Sequence, residues 1–123
     1  MTPENTLEAI IRAADSRKAR DITAIRVYEQ TTLTDYFVMM TGTSTTHIRA
    51  LSEEIEHKLK EQGVPPHHTE GITSNWILMD YTSVVVHIFL QEAREHYAVE
   101  HLWSDGQKID VEPYLIKKEE ESK

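Results

Sequence analysis

Apolar residues along this chain recur with two periods, one helical and one of two, and the alternation between them outlines the elements. Leu7, Ile10, Ile11 and Ala14 fall at helical spacing. Thr2 stands ahead of them as an N-cap, and Pro3 suits the first helical position, where its missing N–H is not needed. Arg17, Lys18 and Arg20 are expected near the C-terminus of this helix, where the dipole favours cations. Ile25 and Val27 alternate within Ile22 to Glu29, a first strand. Tyr36-Phe37-Val38-Met39-Met40 is a continuous apolar run, the pattern of a strand covered on both faces. Beyond Thr41-Gly42-Thr43-Ser44, the stripe Ile48, Leu51, Ile55 and Leu59 predicts a helix of about four turns. Gly63 is its expected C′ residue, and Pro65-Pro66 prevents continuation.

A short third strand is predicted near His67 to Glu70. Asn75 to Tyr81 and Val84 to Leu90 form the clearest hairpin, joined through Thr82-Ser83. A further helix is expected from about Glu92 to Trp103, ended by a turn at Asp105-Gly106. The whole reads as α/β, a mixed β-sheet of about five strands with flanking helices. Residues 1–116 form one domain in this reading, and the almost wholly charged residues 117–123 form a disordered tail.

Successive strand side chains point to opposite faces. A tight turn at Thr82-Ser83 sets Asp80 opposite Val85, Leu78 opposite His87 and Trp76 opposite Phe89. The other face collects Ile77, Met79, Tyr81, Val84, Val86 and Ile88, and this uniformly apolar side should pack under helices. The first face mixes Trp76, Leu78 and Phe89 with Asp80 and His87. Left open to solvent, it is an apolar patch rimmed by polar groups, the composition of a protein interface. Covered by another helix, it is ordinary core. Periodicity alone leaves both readings standing.

Composition narrows the function classes. Hydrophobic residues at 39% and charged residues at 28% are enough for a folded core without staples. No cysteine is present, which excludes disulfides, thiolate metal sites and a cysteine nucleophile, and suits a reducing cytoplasm. Apolar runs such as Val84-Val85-Val86 are far too short to span a membrane, and the first residues carry no signal segment. Cytoplasmic use is the expectation. Thirteen Lys and Arg against 21 Asp and Glu give a formal charge of −8. Phosphate backbones repel such a surface, so direct nucleic-acid binding is not the expected main activity; a basic protein partner suits it, as does solubility alone.

Catalytic and metal chemistry find little support. His96, Glu100 and His101 are spaced H-x-x-x-E-H, which sets the histidines about 140° apart around a helix. His67-His68 with Glu70 is a looser cluster, and no metal site is expected. Neither Ser44 nor Ser52 sits in a nucleophile elbow. Gly42-Thr43-Ser44 lacks a phosphate-binding lysine and the three-glycine pattern, so a turn and helix cap is its expected role. No catalytic residue and no cofactor is assigned.

Three blocks nevertheless form a specific series. The first is Thr34-Asp35-Tyr36-Phe37-Val38 with Thr41-Gly42-Thr43-Ser44 and His47. The second is Glu70-Gly71, then Trp76 to Tyr81 and Val84 to Phe89; the third is Arg94, Tyr97, Glu100, Leu102 and Trp103. Their order and spacing resemble the Iojap-like ribosomal silencing factors (RsfS) over nearly the whole chain. The resemblance implies a nucleotidyltransferase-like fold and a non-enzymatic role. Members bind ribosomal protein uL14 on the large subunit, sterically block joining of the subunits and repress translation when nutrients are scarce. It makes Trp76, Leu78 and Asp80 the leading partner-contact candidates, with Val85 and His87 beside them and Arg94, Tyr97 and Glu100 as further candidates. A local ion-pair or packing role is the alternative for the last three.

Where the family has Gly-Asp at the hairpin turn, this chain has Thr82-Ser83. A β-branched residue resists the positive φ of a tight turn, so a wider turn is expected here. The alternative function is a nucleotidyltransferase-like enzyme, but its closely spaced metal-binding aspartates are missing: the chain contains no D-x-D. A homodimer through the same sheet face is a further alternative.

Overall fold

The computed structural model describes residues 2–27, 34–97 and 107–115. Helix α1, Pro3–Ser16, starts where Thr2 Oγ1 accepts the Asn5 N–H at 3.0 Å. Its buried stripe is Thr6, Leu7, Ile10, Ile11, Ala13 and Ala14. The basic residues lie just past its last turn, which contains none. Lys18 takes φ 62, and the N–H groups of Lys18 and Ala19 reach the carbonyls of Asp15 and Ala14 at 2.9 and 3.1 Å. This is a Schellman closure built on a non-glycine residue. Helix α2, Thr45–Glu61, is capped by Ser44 and closes the same way on Gly63 at φ 77, as predicted.

The strands are β1 Arg20–Arg26, β2 Tyr36–Gly42, β3 His68–Thr73, β4 Trp76–Asp80, β5 Val84–Leu90 and β6 Gln107–Ile109. Helix α3, Gln91–Tyr97, follows β5 directly, and a 3₁₀ turn occupies Glu112–Tyr114. The first strand begins two residues before the predicted Ile22, and residues 28 and 29 of that prediction lie outside the described residues. The same holds for residues 98–103 of the predicted last helix, for the Asp105-Gly106 turn, and for the charged tail.

All six strands form one sheet in the order β3-β4-β5-β2-β1-β6. Among the described residues only β2 and β5 pair in parallel, which makes the sheet mixed. The sixth strand exceeds the expected five: its three residues, paired with Ala24 to Arg26 of β1, are too few to show a period.

Alternation along β2 divides the core. Tyr36, Val38 and Met40 join Met79, Val84, Val86 and Ile88 beneath the stripes of α1 and α2. On the opposite side, Met39, Ile25, Val27 and Phe89 pack with Ala93 of α3, and Phe37 and Trp76 stand at the margin. The apolar hairpin face therefore lies under the two long helices. The mixed face looks the other way, toward the short α3.

Candidate functional site

The mixed face is built by register. β4 and β5 pair Trp76 with Phe89, Leu78 with His87 and Asp80 with Val85, the pairing expected from the sequence. The parallel β2 adds Phe37 beside Val85 and Met39 beside His87. β3 adds Glu70 opposite Leu78 and His68 opposite Asp80.

The hairpin turn corrects the expectation of a wider loop. Tyr81 N–H reaches the Val84 carbonyl at 2.9 Å, so only Thr82 and Ser83 lie in the loop. Thr82 adopts φ 70 despite its branched Cβ. Two local bonds hold it there: the Asp80 carboxylate accepts the Thr82 N–H at 2.7 Å, and Ser83 N–H returns to the Tyr81 carbonyl at 2.8 Å. An Asp side chain bonding the backbone two residues on is the standard way to stabilise such a turn.

Cover over the face is graded. Phe89 and Met39 are wholly buried near α3, and His87 is 5% exposed. Phe37, Trp76, Leu78, Asp80 and Val85 are each only half-buried. Neither reading left open by the sequence holds alone: one end of the face is core, and the other is an aromatic and aliphatic surface. Acidic and polar groups border that surface on the β3 side, where His68 Nε2 pairs with Glu70 at 2.9 Å.

Four rings meet at the boundary. His87 lies parallel to Phe89 at 5.8 Å between centroids and tilted against Phe37 at 5.3 Å. Trp76 packs on Phe89 at 5.1 Å and on His87 at 5.8 Å. The indole Nε1–H donates to His87 Nδ1 at 3.2 Å. An indole can only donate, so Nδ1 carries no proton and the neutral ring is protonated on Nε2. Burial pushes the His87 pKa down to about 4, which keeps the ring neutral near pH 7.

Arg94 is buried where α3 meets the sheet rather than exposed on the open part of the face. Its Nη1 donates to the Asp21 carbonyl and Thr41 Oγ1, both at 2.8 Å, and its Nη2 to Thr23 Oγ1 at 3.1 Å. The residue is 8% exposed. The guanidinium thereby ties α3 to the irregular stretch of β1, where Asp21 takes φ 48. Tyr97 ends α3, and Glu100 lies outside the described residues. Sequence reasoning missed Phe37, Glu70 and His68 as neighbours of the hairpin. For Phe37 the signal lies in the pairing of β2 with β5 across α2, which no local period reveals, whereas His68 and Glu70 lie on β3, which pairs with the strand that follows it.

The other candidate chemistry resolves into structure. A Cβ on Gly42 would stand 2.6 Å from Ile48 Cγ2, so this glycine lets the first turn of α2 lie against the strand end. Thr43 N–H donates to His47 Nδ1 at 2.9 Å, and His47 Nε2–H donates to the Arg17 carbonyl at 2.7 Å, joining α1 to α2. Ser44 Oγ caps α2, and Ser52 Oγ donates to the Arg49 carbonyl. Among the described residues, no group of three His, Asp or Glu could hold a metal, and no helix is long and apolar enough to cross a membrane.

Fold and face together define the class: a mixed α/β sheet protein with two helices on one side and a half-covered aromatic surface on the other. Residues 1–123 match the family model described as ribosomal silencing factor during starvation, and the chain belongs to that family. It is 31% identical to the ribosomal silencing factor RsfS of Bacillus subtilis, over 91% of this chain and 96% of that protein. Mitochondrial assembly of ribosomal large subunit protein 1 of Mus musculus is 34% identical over 80% of this chain, which spans 45% of the mouse protein. The fold is similar to a crystal structure of a Chromobacterium violaceum protein, with a TM-score of 0.82 and 33% identity over 89% of this chain and 92% of that one. Family membership places the chain among regulators rather than enzymes.

Proposed function

We propose that the Trp76 face docks on ribosomal protein uL14 of the large subunit, in the cytoplasm, and thereby blocks subunit joining and represses translation under nutrient limitation. The observation that carries this reading is the half-buried cluster of Trp76, Phe37, Leu78 and Val85 on one sheet face, bordered by Asp80 and Glu70. Apolar centres with polar rims are the anatomy of protein interfaces, and tryptophan is enriched among their hot spots. A formal charge of −8 suits a basic ribosomal protein. Names of relatives point to the same particle: one mouse relative is named for assembly of the ribosomal large subunit.

The mechanism is occlusion. A bound protein occupies the surface that the small subunit needs, and no bond is made or broken. Trp76, Leu78, Asp80 and Val85 form the contact set, with Phe37 added and with Tyr97 and Glu100 extending it. His87 and Arg94 are buried beside these residues and serve as supports rather than contacts. The purified protein should pellet with isolated large subunits and lower the yield of joined ribosomes. Trp76→Ala should weaken binding to uL14 by at least ~2 kcal/mol without unfolding the chain. A protein that leaves large subunits in the supernatant and joining unaltered would sink the proposal. A second copy of the chain on the same face would appear as a dimer in light scattering that dissociates when uL14 is added.

A further inference from the structure

We infer that His87 is a positioning residue for the docking face: its imidazole Nδ1 holds the Trp76 indole in the orientation in which the tryptophan meets the partner. This rests on the docking role of Trp76 proposed above.

His87 cannot serve mainly as a contact, because it is 5% exposed. Its ring is fixed by parallel stacking on the wholly buried Phe89 and by the tilted Phe37 ring. From this support, Nδ1 faces the Trp76 Nε1–H at 3.2 Å. The tryptophan itself is half-buried, so its indole is held in the fold and also reaches the surface. An anchor already held in its bound orientation loses less conformational freedom on docking than one that must be ordered.

The other imidazole nitrogen strengthens the inference. Nε2 is buried and has no hydrogen-bond partner among the described residues. A buried donor without a partner is a cost to folding that a phenylalanine or leucine would not carry. Stability alone therefore favours an apolar ring at this position in the cluster of Phe37, Trp76 and Phe89. What the imidazole supplies, and an apolar side chain does not, is an acceptor for the indole N–H.

The test uses the full chain with ¹⁵N-labelled tryptophan, in which Trp76 and Trp103 give two indole signals. Trp76→Phe assigns them. His87→Phe and His87→Leu remove the acceptor while keeping an apolar fill. His87→Asn keeps a carbonyl oxygen close to the place of Nδ1. In the Phe and Leu variants, the Trp76 indole proton should move upfield and exchange faster with solvent. Large-subunit affinity should fall about tenfold, as expected when an interface anchor loses its preorganisation. The Asn variant should recover the indole signal and bring affinity to within about threefold of the parent. On a Trp76→Phe background, His87→Phe should cause no further loss.

An unshifted indole signal in both apolar variants overturns the inference. So does undiminished binding by those variants when Trp76→Ala binds poorly, or a loss that multiplies with that of Trp76→Phe. If Trp76→Ala leaves large-subunit binding unchanged, the docking reading falls and this inference falls with it. The indole signal then reports only whether the hydrogen bond forms.

Discussion

At the scale of single residues, His87 couples the face to pH. Its folded pKa of about 4 lies below the ordinary 6.5, because burial penalises the charged ring. The unfolded chain therefore takes up a proton near pH 6.5, whereas the folded chain does so only near pH 4. Between those values the unfolded state binds more protons, so stability is held in full above pH 6.5 and lost as pH falls toward 4. The loss attributable to this group is on the order of 3 kcal/mol. Asp80 on β4 and the His68–Glu70 pair on β3 share the face and are common to parent and variant. Urea unfolding at pH 7, 5.5 and 4.5 should thus show a shallower decline in His87→Leu than in the parent; equal slopes would remove His87 as the source. Much of this residue's setting could be read in the sequence. Alternation and a two-residue loop placed His87 opposite Leu78 on the face of Trp76. Its burial could not be read, since it depends on how far α3 and Phe37 reach over the sheet. Thr82 misled for a related reason: branching does oppose φ 70, but the Asp80 carboxylate two residues earlier offsets the strain.

At the scale of elements, the junctions rather than the apolar stripes set the geometry. The β2–α2 junction depends on Gly42, where a methyl group would meet Ile48 Cγ2 at 2.6 Å and His47 Nδ1 at 3.3 Å. Ile48 is β-branched and almost wholly buried, so it cannot swing aside and the first turn of α2 must shift. Gly42→Ala should cost about 1–3 kcal/mol in urea unfolding, the range for overpacking a filled site. A neutral result would mean that α2 slides freely on the strand end. The Gly42-Thr43-Ser44 turn and its cap were legible from residue types alone. Other junctions were not: Lys18 closes α1 where glycine is the usual signal, and the three residues of β6 show no period. Phe37 joins the face because β2 and β5 run in parallel across α2, β3 and β4. Arg94 reads in sequence as one of a row at spacing three, yet its guanidinium turns inward to Thr23, Thr41 and the Asp21 carbonyl.

At the scale of the molecule, the sheet separates two tasks. One side buries the long stripes of α1 and α2 in the larger apolar cluster; the other gives up full cover and leaves Trp76 and its neighbours half-buried. The proposed occlusion would draw on this division, because a docking face must stay apolar without being needed for the fold. Substitutions on the two sides should therefore have opposite signatures. Leu51 lies wholly buried between α2 and the sheet, and Leu51→Ala should lower stability by about 2–5 kcal/mol. At a temperature where that variant remains folded, its affinity for large subunits should match the parent's. Trp76→Ala should do the reverse, with a small change in unfolding and a large loss of binding. Urea titration and co-sedimentation on the same preparations separate the two. Proportional losses in both measurements for both variants would mean that the sheet behaves as one unit, with docking and folding drawing on the same contacts.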